Sequence, residues 1–398
     1  MNAAQNVTIP VPVQRPLLVR EPVRKTRNAA IFLLYVLLLS GVAIHLYRKP
    51  IYSMDSIQYM GNALLMEERD PVRIHQRVYD DVRRSVPRVE REGMLGHVEG
   101  ATPDYAESRR MRAANPYQYA EFLPLFAIRP LYNQTLWLVS KTGMGLVRSG
   151  IVISVGSYFL LGILVFVWID KYVSSWFALA ISILLLASPP LMDLGRETTA
   201  DALATLVAFA SLYLIFERRR LVPGIALLLA SIYFRTDFVV LAGPVILACW
   251  WEKRINFWKA GVLAVVAVAS VLCINHFAGD YGIKMLYYRN FVAVPIAPGE
   301  MTAQFAFRDY LAAMRSGITL AANSFFLPFL LLGTIGMVSR RMRVLFVVNL
   351  TYVVLHFVVL PNWQERWVGL FYLSMGICAA AMAGEVAKNI AARRDATE

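Results

Sequence analysis

Residues 199–251 read TADALATLVAFASLYLIFERRRLVPGIALLLASIYFRTDFVVLAGPVILACWW. Three apolar runs stand there in close succession: Thr199–Phe216, Leu221–Phe234 and Phe238–Trp251. A compact basic turn, Arg218-Arg219-Arg220, separates the first two, and a short charged one, Arg235–Asp237, separates the last two. In hydrocarbon every backbone N–H and C=O must be satisfied within its own segment, so such runs are helices. Basic connectors stay on the cytoplasmic side, so consecutive connectors alternate between the two faces of a bilayer.

The same reading extends in both directions. Ala29–Tyr47 is an apolar run after a basic start, and Ile151–Ile169 and Trp176–Leu191 precede the quoted stretch. Ala260–Ala278, Ile318–Val338, Val344–Leu360 and Val368–Gly384 follow it. Several approach the roughly 20 residues that span a hydrocarbon core. Of the 398 residues, 58% are hydrophobic, and the mean hydropathy is +0.51. The expected fold class is therefore all-α: a polytopic membrane bundle of about 10–11 transmembrane helices. Residues 1–28 and 385–398 are expected as tails inside, with Arg218-Arg219-Arg220, Lys253-Arg254 and Arg340-Arg341-Arg343 as inside loops. The first helix lacks a small-residue cleavage site and reads as retained. This pattern fits a bacterial inner membrane with the chemistry facing the periplasm.

Two regions depart from the simple alternation. Residues 48–121 are polar and nearly neutral, with 12 Lys/Arg against 12 Asp/Glu. A loop of that length is exported regardless of its arginines. Within it, Ile57, Met60, Leu64 and Leu65 fall on one stripe, which predicts a short amphipathic helix at the membrane surface. Residues 67–115 read as a solvated helix-and-loop region. Phe122–Lys141 is apolar but contains Arg129, Asn133 and Gln134, and a full crossing there would invert every later loop. A partly inserted or irregular element is expected there; a different short segment that fails to cross would restore the same alternation.

The net charge of +13 follows from the positive-inside bias, and no basic stripe with interleaved aromatics points to nucleic acid. Cys249, Cys273 and Cys378 lie in apolar segments and read as small core residues. No histidine has metal-ligand spacing. Carboxylates could take a divalent ion, but neither a metal nor another cofactor is expected. There is no Gly-rich phosphate loop, nucleophile elbow or kinase signature, which argues against a nucleotide as direct substrate.

The outside connectors each press ionisable residues against an apolar helix end. They are Asp55, Arg129, Arg196 with Glu197 and Asp201, Arg235 with Asp237, Arg289, and Glu365 with Arg366. A charge at membrane depth costs several kcal/mol unless paired or hydrated. Each alone is readily an interfacial anchor or half of a structural ion pair, Asp237 beside Arg235 above all. Gathered on one side, they point to a shared polar cavity, and the arginines suit a phosphate or diphosphate. Asp55 has two compatible readings. It caps its helix, or it serves as a general base for an acceptor hydroxyl or amine. Tyr59, Tyr287, Tyr288 and Trp363 read on their own as an ordinary aromatic belt.

In the order of these features the chain resembles the GT-C superfamily of membrane glycosyltransferases, which includes the protein mannosyltransferases and the lipid A aminoarabinose transferases. Asp55 follows helix one where that family keeps its catalytic acid, and Tyr59 stands at the familiar spacing. FLPLFAIRPLYNQTLWLVSKTG (122–143) looks like the family's second membrane element. LLLASPPLMDLGRETTADALATLVAFASLYLIFERRR (184–220) is similar to its Ser-Pro, Arg and Thr-Asp stretch. ASIYFRTDFVVLAGPVILA (230–248) resembles its short helix pair around a basic residue, and PNWQERWVGLFYLSMGICAAA (361–381) its last core helix. Asp55 is followed by Ser56 where many relatives carry a second acid. The resemblance implies an inverting transfer of sugar from a polyprenyl-phosphate donor to an extracytoplasmic glycan, lipid or protein. Asp55 would be catalytic, and Arg235, Arg289 and Arg366 would bind the donor phosphate. Tyr59, Arg129, Arg196, Glu197, Asp237, Tyr287, Tyr288, Trp363 and Glu365 would bind substrate. The rival readings are a transporter or flippase of a lipid-linked glycan and a non-catalytic scaffold.

Overall fold

The computed structural model describes residues 21–97, 103–281, 306–337 and 339–395, and these are helical with no strand among them. Helix α1, Glu21–Arg48, leads into a cap built from α2 (Met54–Leu64), α3 (Pro71–Ser85), α4 (Arg88–Met94), α5 (Pro103–Ala114), α6 (Pro116–Phe122), α7 (Pro124–Ala127) and α8 (Pro130–Val139). The bundle continues with α9 (Leu146–Ile169), α10 (Ser175–Leu186), α11 (Pro189–Arg196), α12 (Asp201–Leu212), α13 (Leu221–Phe234), α14 (Val239–Trp251) and α15 (Phe257–Phe277). It closes with α16 (Phe307–Ala322), α17 (Phe326–Ile335), α18 (Arg340–Val359) and α19 (Gly369–Asp395).

Among the described residues five helical stretches are long and apolar enough to cross a membrane: Asn28–Arg48, Leu146–Ile169, Phe257–Phe277, Arg340–Val359 and Glu365–Asp395. Counting two bent pairs as spans raises this to seven, against the ten to eleven expected. The bends have local causes. Pro189-Pro190 opens α11 at 70° to α10, so Trp176–Leu191 is not one helix. The expected Ile318–Val338 helix is broken at Asn323–Phe325, where α16 and α17 meet at 66°. α16 lies across one end of the bundle: Tyr310 donates to the carbonyl of Val358 near its start, and Phe325 beyond its end donates to Glu365. The 14-residue α13 and 13-residue α14 cover only about 20 Å each. α13 packs chiefly against α12, and α14 against α15 and α18.

One continuous core joins α1, α9, α10, α12 to α14 and α17 to α19, built around Tyr35, Trp168, Phe209, Tyr352 and Tyr372. α1 and α9 approach closely at Gly162, whose carbonyl accepts from the Tyr35 hydroxyl at 2.7 Å. A Cβ there would stand 2.8 Å from Leu39. α15 buries Ala267, Ser270 and Ile274, packs Ala260, Leu263 and Val271 against the core, and turns much of its remaining surface outward, Cys273 included. Cys273 therefore departs from the core placement expected for all three cysteines, whereas Cys249 and Cys378 are buried.

The basic connectors gather at one end. Glu217, 8% exposed, takes Lys171 at 3.1 Å and Arg341 at 2.9 Å, and accepts from the Tyr172 hydroxyl at 2.5 Å. Arg219 and Arg254 both face Glu252.

The cap corrects two expectations. α2 does not lie on a membrane surface: every residue but Asp55 is buried, Ser56, Gln58 and Asn62 included. Residues 67–115 are not merely a solvated region either. Ile74, Val78, Tyr79 and Val82 of α3 join Ile57, Tyr59, Met60 and Leu64 of α2, and Tyr119 and Phe122 of α6, in a second core. Phe122–Lys141 breaks at Pro124 and Pro130 into pieces too short to cross. α8 then ends in a turn containing Gly143 at φ +88°.

Within the cap, Glu67 ties the α2–α3 connection to the end of α8, with Lys141, Arg77 and the Trp137 indole around its carboxylate. Hydrogen bonding from Lys141 holds it down at about pKa 2 against an ordinary 4.5. An acid with a depressed folded-state value stabilises above its unfolded value and loses that contribution as pH falls through the folded one. The melting difference between wild type and Glu67→Gln, expected to be under about 1 kcal/mol for so solvated a site, should close as pH falls from 4.5 toward 2. Melting curves of the two proteins across that range check it.

Candidate functional site

At the end opposite Glu217, five connectors meet. Two of them are stitched by backbone: Ile51 donates to the Arg196 carbonyl at 2.9 Å, and Thr198 donates to the Ile51 carbonyl at 3.2 Å. The Thr198 hydroxyl accepts from the Ser53 N–H at 3.3 Å. This short parallel contact sets the start of α2 beside the loop between α11 and α12, so Asp55 faces Glu197. Ser53 is the N-cap of α2, its hydroxyl accepting from the Asp55 N–H at 3.3 Å. The capping reading of Asp55 is therefore replaced. The carboxylate sits in the first turn, favoured by the helix dipole but free of the cap bond.

Arg366, on the turn Glu365–Val368 that enters α19, is the hub. Its guanidinium is 2.5 Å from Glu197, 3.6 Å from Asp55 and 3.6 Å from Asp201, and its Nε donates to the Gln364 side chain at 2.8 Å. Asp201 opens α12, where its charge meets the helix dipole, and accepts from the Thr199 hydroxyl at 2.7 Å. Its other oxygen is 2.9 Å from Arg235. Arg235 closes α13 in extended backbone and holds Asp237 through both Nε and Nη2. Asp237 in turn faces His356 Nε2 at 3.0 Å. A carboxylate only accepts, so that ring nitrogen carries the proton. The result is a chain of charge running Asp55, Arg366, Asp201, Arg235, Asp237, His356, with Glu197 as a branch.

Burial grades this chain. Arg235 and Asp201 are 2% and 3% exposed, whereas Arg366, Glu197, Asp55 and Asp237 are 16%, 20%, 26% and 28% exposed. The inner pair is a dry anchor and the others form a wetted rim. Burial pushes the Glu197 carboxyl above its usual range, and Arg366 opposes that push. Arg129, at the start of α8, stands 5.1 Å over the ring of Tyr59 and within electrostatic reach of Asp201, Asp55 and Asp237. Among the described residues no carboxylate lies within salt-bridge distance of it. Tyr59 is fully buried edge-on against Phe126 and Tyr132 and forms the floor beneath Arg129.

Asp55, Glu197, Arg235, Asp237 and Arg366 thus come together, with Arg129 and Tyr59 alongside. The structure does not bring three of the expected residues to the cluster. Arg196 binds Asp193 at 3.0 Å and the Lys49 carbonyl at 2.8 Å, clamping the stitched loops. Glu365 accepts from the Tyr372 hydroxyl and from the Phe325 N–H, joining α17 to α19. Trp363 packs against Phe326 and Phe357. Tyr287, Tyr288 and Arg289 lie outside the described residues. His356, which reads as isolated in sequence, belongs to the cluster. The only signal for it was its position near the outer end of the Val344–Leu360 run. The carboxylates surround guanidinium groups instead of converging on one another, and the described residues hold no group of three acidic, His or Cys side chains arranged for a metal.

No family model, no curated protein and no solved structure matches the chain.

Proposed function

We propose that the chain is a membrane glycosyltransferase of the GT-C type, which moves a sugar with inversion from a polyprenyl-phosphate donor to an acceptor at the cap side of the bilayer. The observation that carries this reading is the pairing of a rim carboxylate with a rim guanidinium: Asp55 lies 3.6 Å from Arg366, both solvent-accessible, above a buried charge network that fixes them. An inverting transfer needs a base for the acceptor and a cation for the leaving phosphate, close together.

In the proposed step Asp55 takes the proton of an acceptor hydroxyl or amine, whose oxygen or nitrogen attacks the anomeric carbon. The bond from that carbon to the phosphate oxygen breaks, and the negative charge grows on the polyprenyl phosphate. Arg366 and the carboxylate-free Arg129 receive that charge. Arg235, too buried to meet a substrate, is here a positioning residue that holds Asp201 and through it Arg366. A phosphate arriving at Arg366 displaces a carboxylate from its fork. Glu197, whose proton affinity burial raises, is the acid suited to be neutralised at that moment. The proposed setting is an inner membrane with this rim on the periplasmic face.

The test is reconstitution of the purified chain in liposomes with polyprenyl-phosphate-linked sugars, followed by mass spectrometry. Glycosylated acceptor and free polyprenyl phosphate should appear together. Passage of the intact donor across the bilayer with neither product would assign the cluster to transport instead.

A further inference from the structure

A second feature lies between α14 and α18, on the side of the bundle that carries Arg340. A groove of about 660 Å³ opens between them, with Val347 on its wall 55% exposed. On α14 its wall runs from Pro244 to Trp251, and on α18 from Arg340 through Val347 to Thr351. These residues recur at helical spacing, so each helix presents one continuous apolar stripe to the groove. Arg340 and Arg343 stand at its mouth, and among the described residues neither has a carboxylate within salt-bridge distance. Trp251, 73% exposed, flanks them.

The length of the groove identifies its depth in the membrane. From Arg340 to His356, which meets Asp237 at the polar site, α18 rises about 24 Å. The groove mouth therefore belongs to the leaflet opposite that site. From Arg340 to Thr351 the rise is about 16 Å, close to half of a hydrocarbon core about 30 Å thick. Basic pockets between transmembrane helices recruit anionic headgroups, and a tryptophan beside them suits the interfacial layer.

We propose that this groove binds an anionic glycerophospholipid of the leaflet opposite the Asp55–Arg366 site, with its phosphate on Arg340 and Arg343 and one acyl chain along Val347 as far as Thr351. Charge complementarity at the mouth and an apolar wall one leaflet deep select this occupant over a free phosphate, which would leave the wall empty. The site stands independently of the transfer reaction.

Native mass spectrometry of the full-length protein in detergent, titrated with phosphatidylglycerol and with phosphatidylcholine, reads it directly. Phosphatidylglycerol should be retained preferentially. The Arg340→Gln/Arg343→Gln protein should bind it about thirty-fold more weakly, the effect of removing two interfacial charges. Val347→Trp, which fills the groove and keeps both guanidinium groups, should lose it as well, and glycerol phosphate should not compete. Equal retention of the two lipids, unchanged binding by the double variant, or displacement by glycerol phosphate overturns the proposal. So does a dimer that dissociates on Trp251→Ala, because a second copy would then be the occupant.

Discussion

Asp55→Asn is expected to lower sugar transfer about 10²- to 10⁴-fold while leaving the thermal stability of the purified protein nearly unchanged. Both halves follow from where the carboxylate sits. Its helix is capped by Ser53, and its one ion pair among the described residues is a 3.6 Å contact with Arg366. Arg366 keeps Glu197 and Asp201 after the change. Among the described residues the cluster holds four carboxylates, Asp55, Glu197, Asp201 and Asp237, against three guanidinium groups, Arg129, Arg235 and Arg366. Removing one negative charge therefore relieves an excess and uncovers no buried cation. Asparagine keeps the shape and cannot take the acceptor's proton at neutral pH. Transfer and melting measured on the same preparation decide the matter. Wild-type turnover in a well-folded Asn protein would remove Asp55 from the mechanism.

Arg235→Gln is expected to act in the opposite way, on the fold before the chemistry. Arg235 is 2% exposed and, among the described residues, is the only guanidinium within 3 Å of Asp201, itself 3% exposed. Removing it leaves the buried Asp201 carboxylate to the longer 3.6 Å contact with Arg366 and leaves Asp237 to His356. Breaking a buried pair by deleting one partner costs about 3–5 kcal/mol, much of it the cost of the uncompensated charge left behind. The melting temperature should fall sharply, and activity should fall with it. Adding Asp201→Asn, which removes the stranded charge, should recover part of the stability and little of the activity, since Arg366 then loses one of its three acids. A single variant as stable as wild type would mean that water reaches this pair freely, contrary to its burial.

These contrasting expectations separate two roles that look alike in the sequence. Asp55, Asp201 and Asp237 each stand beside an apolar run. Only their exposure tells a rim group from an anchor.

The amino-acid sequence by itself determined that this is a helical membrane protein, because apolar runs near membrane length and basic connectors report directly on partition between oil and water. It also placed charged residues on one side, since the alternation of connectors is a counting rule. Two things lay beyond it. The number of full spans depends on bends at Pro189 and at Asn323–Phe325, where an apolar run stays apolar but turns. The membership of the site depends on side-chain direction. Arg196 and Arg366 both stand at helix ends on the same side, yet one clamps a loop through Asp193 while the other gathers three acids. His356 enters through its turn of α18, and Glu365 leaves the cluster through Tyr372. Hydropathy assigns a residue to a depth in the bilayer. Only packed helices, rotated and stitched as at Ile51 and Thr198, decide which neighbour it meets at that depth.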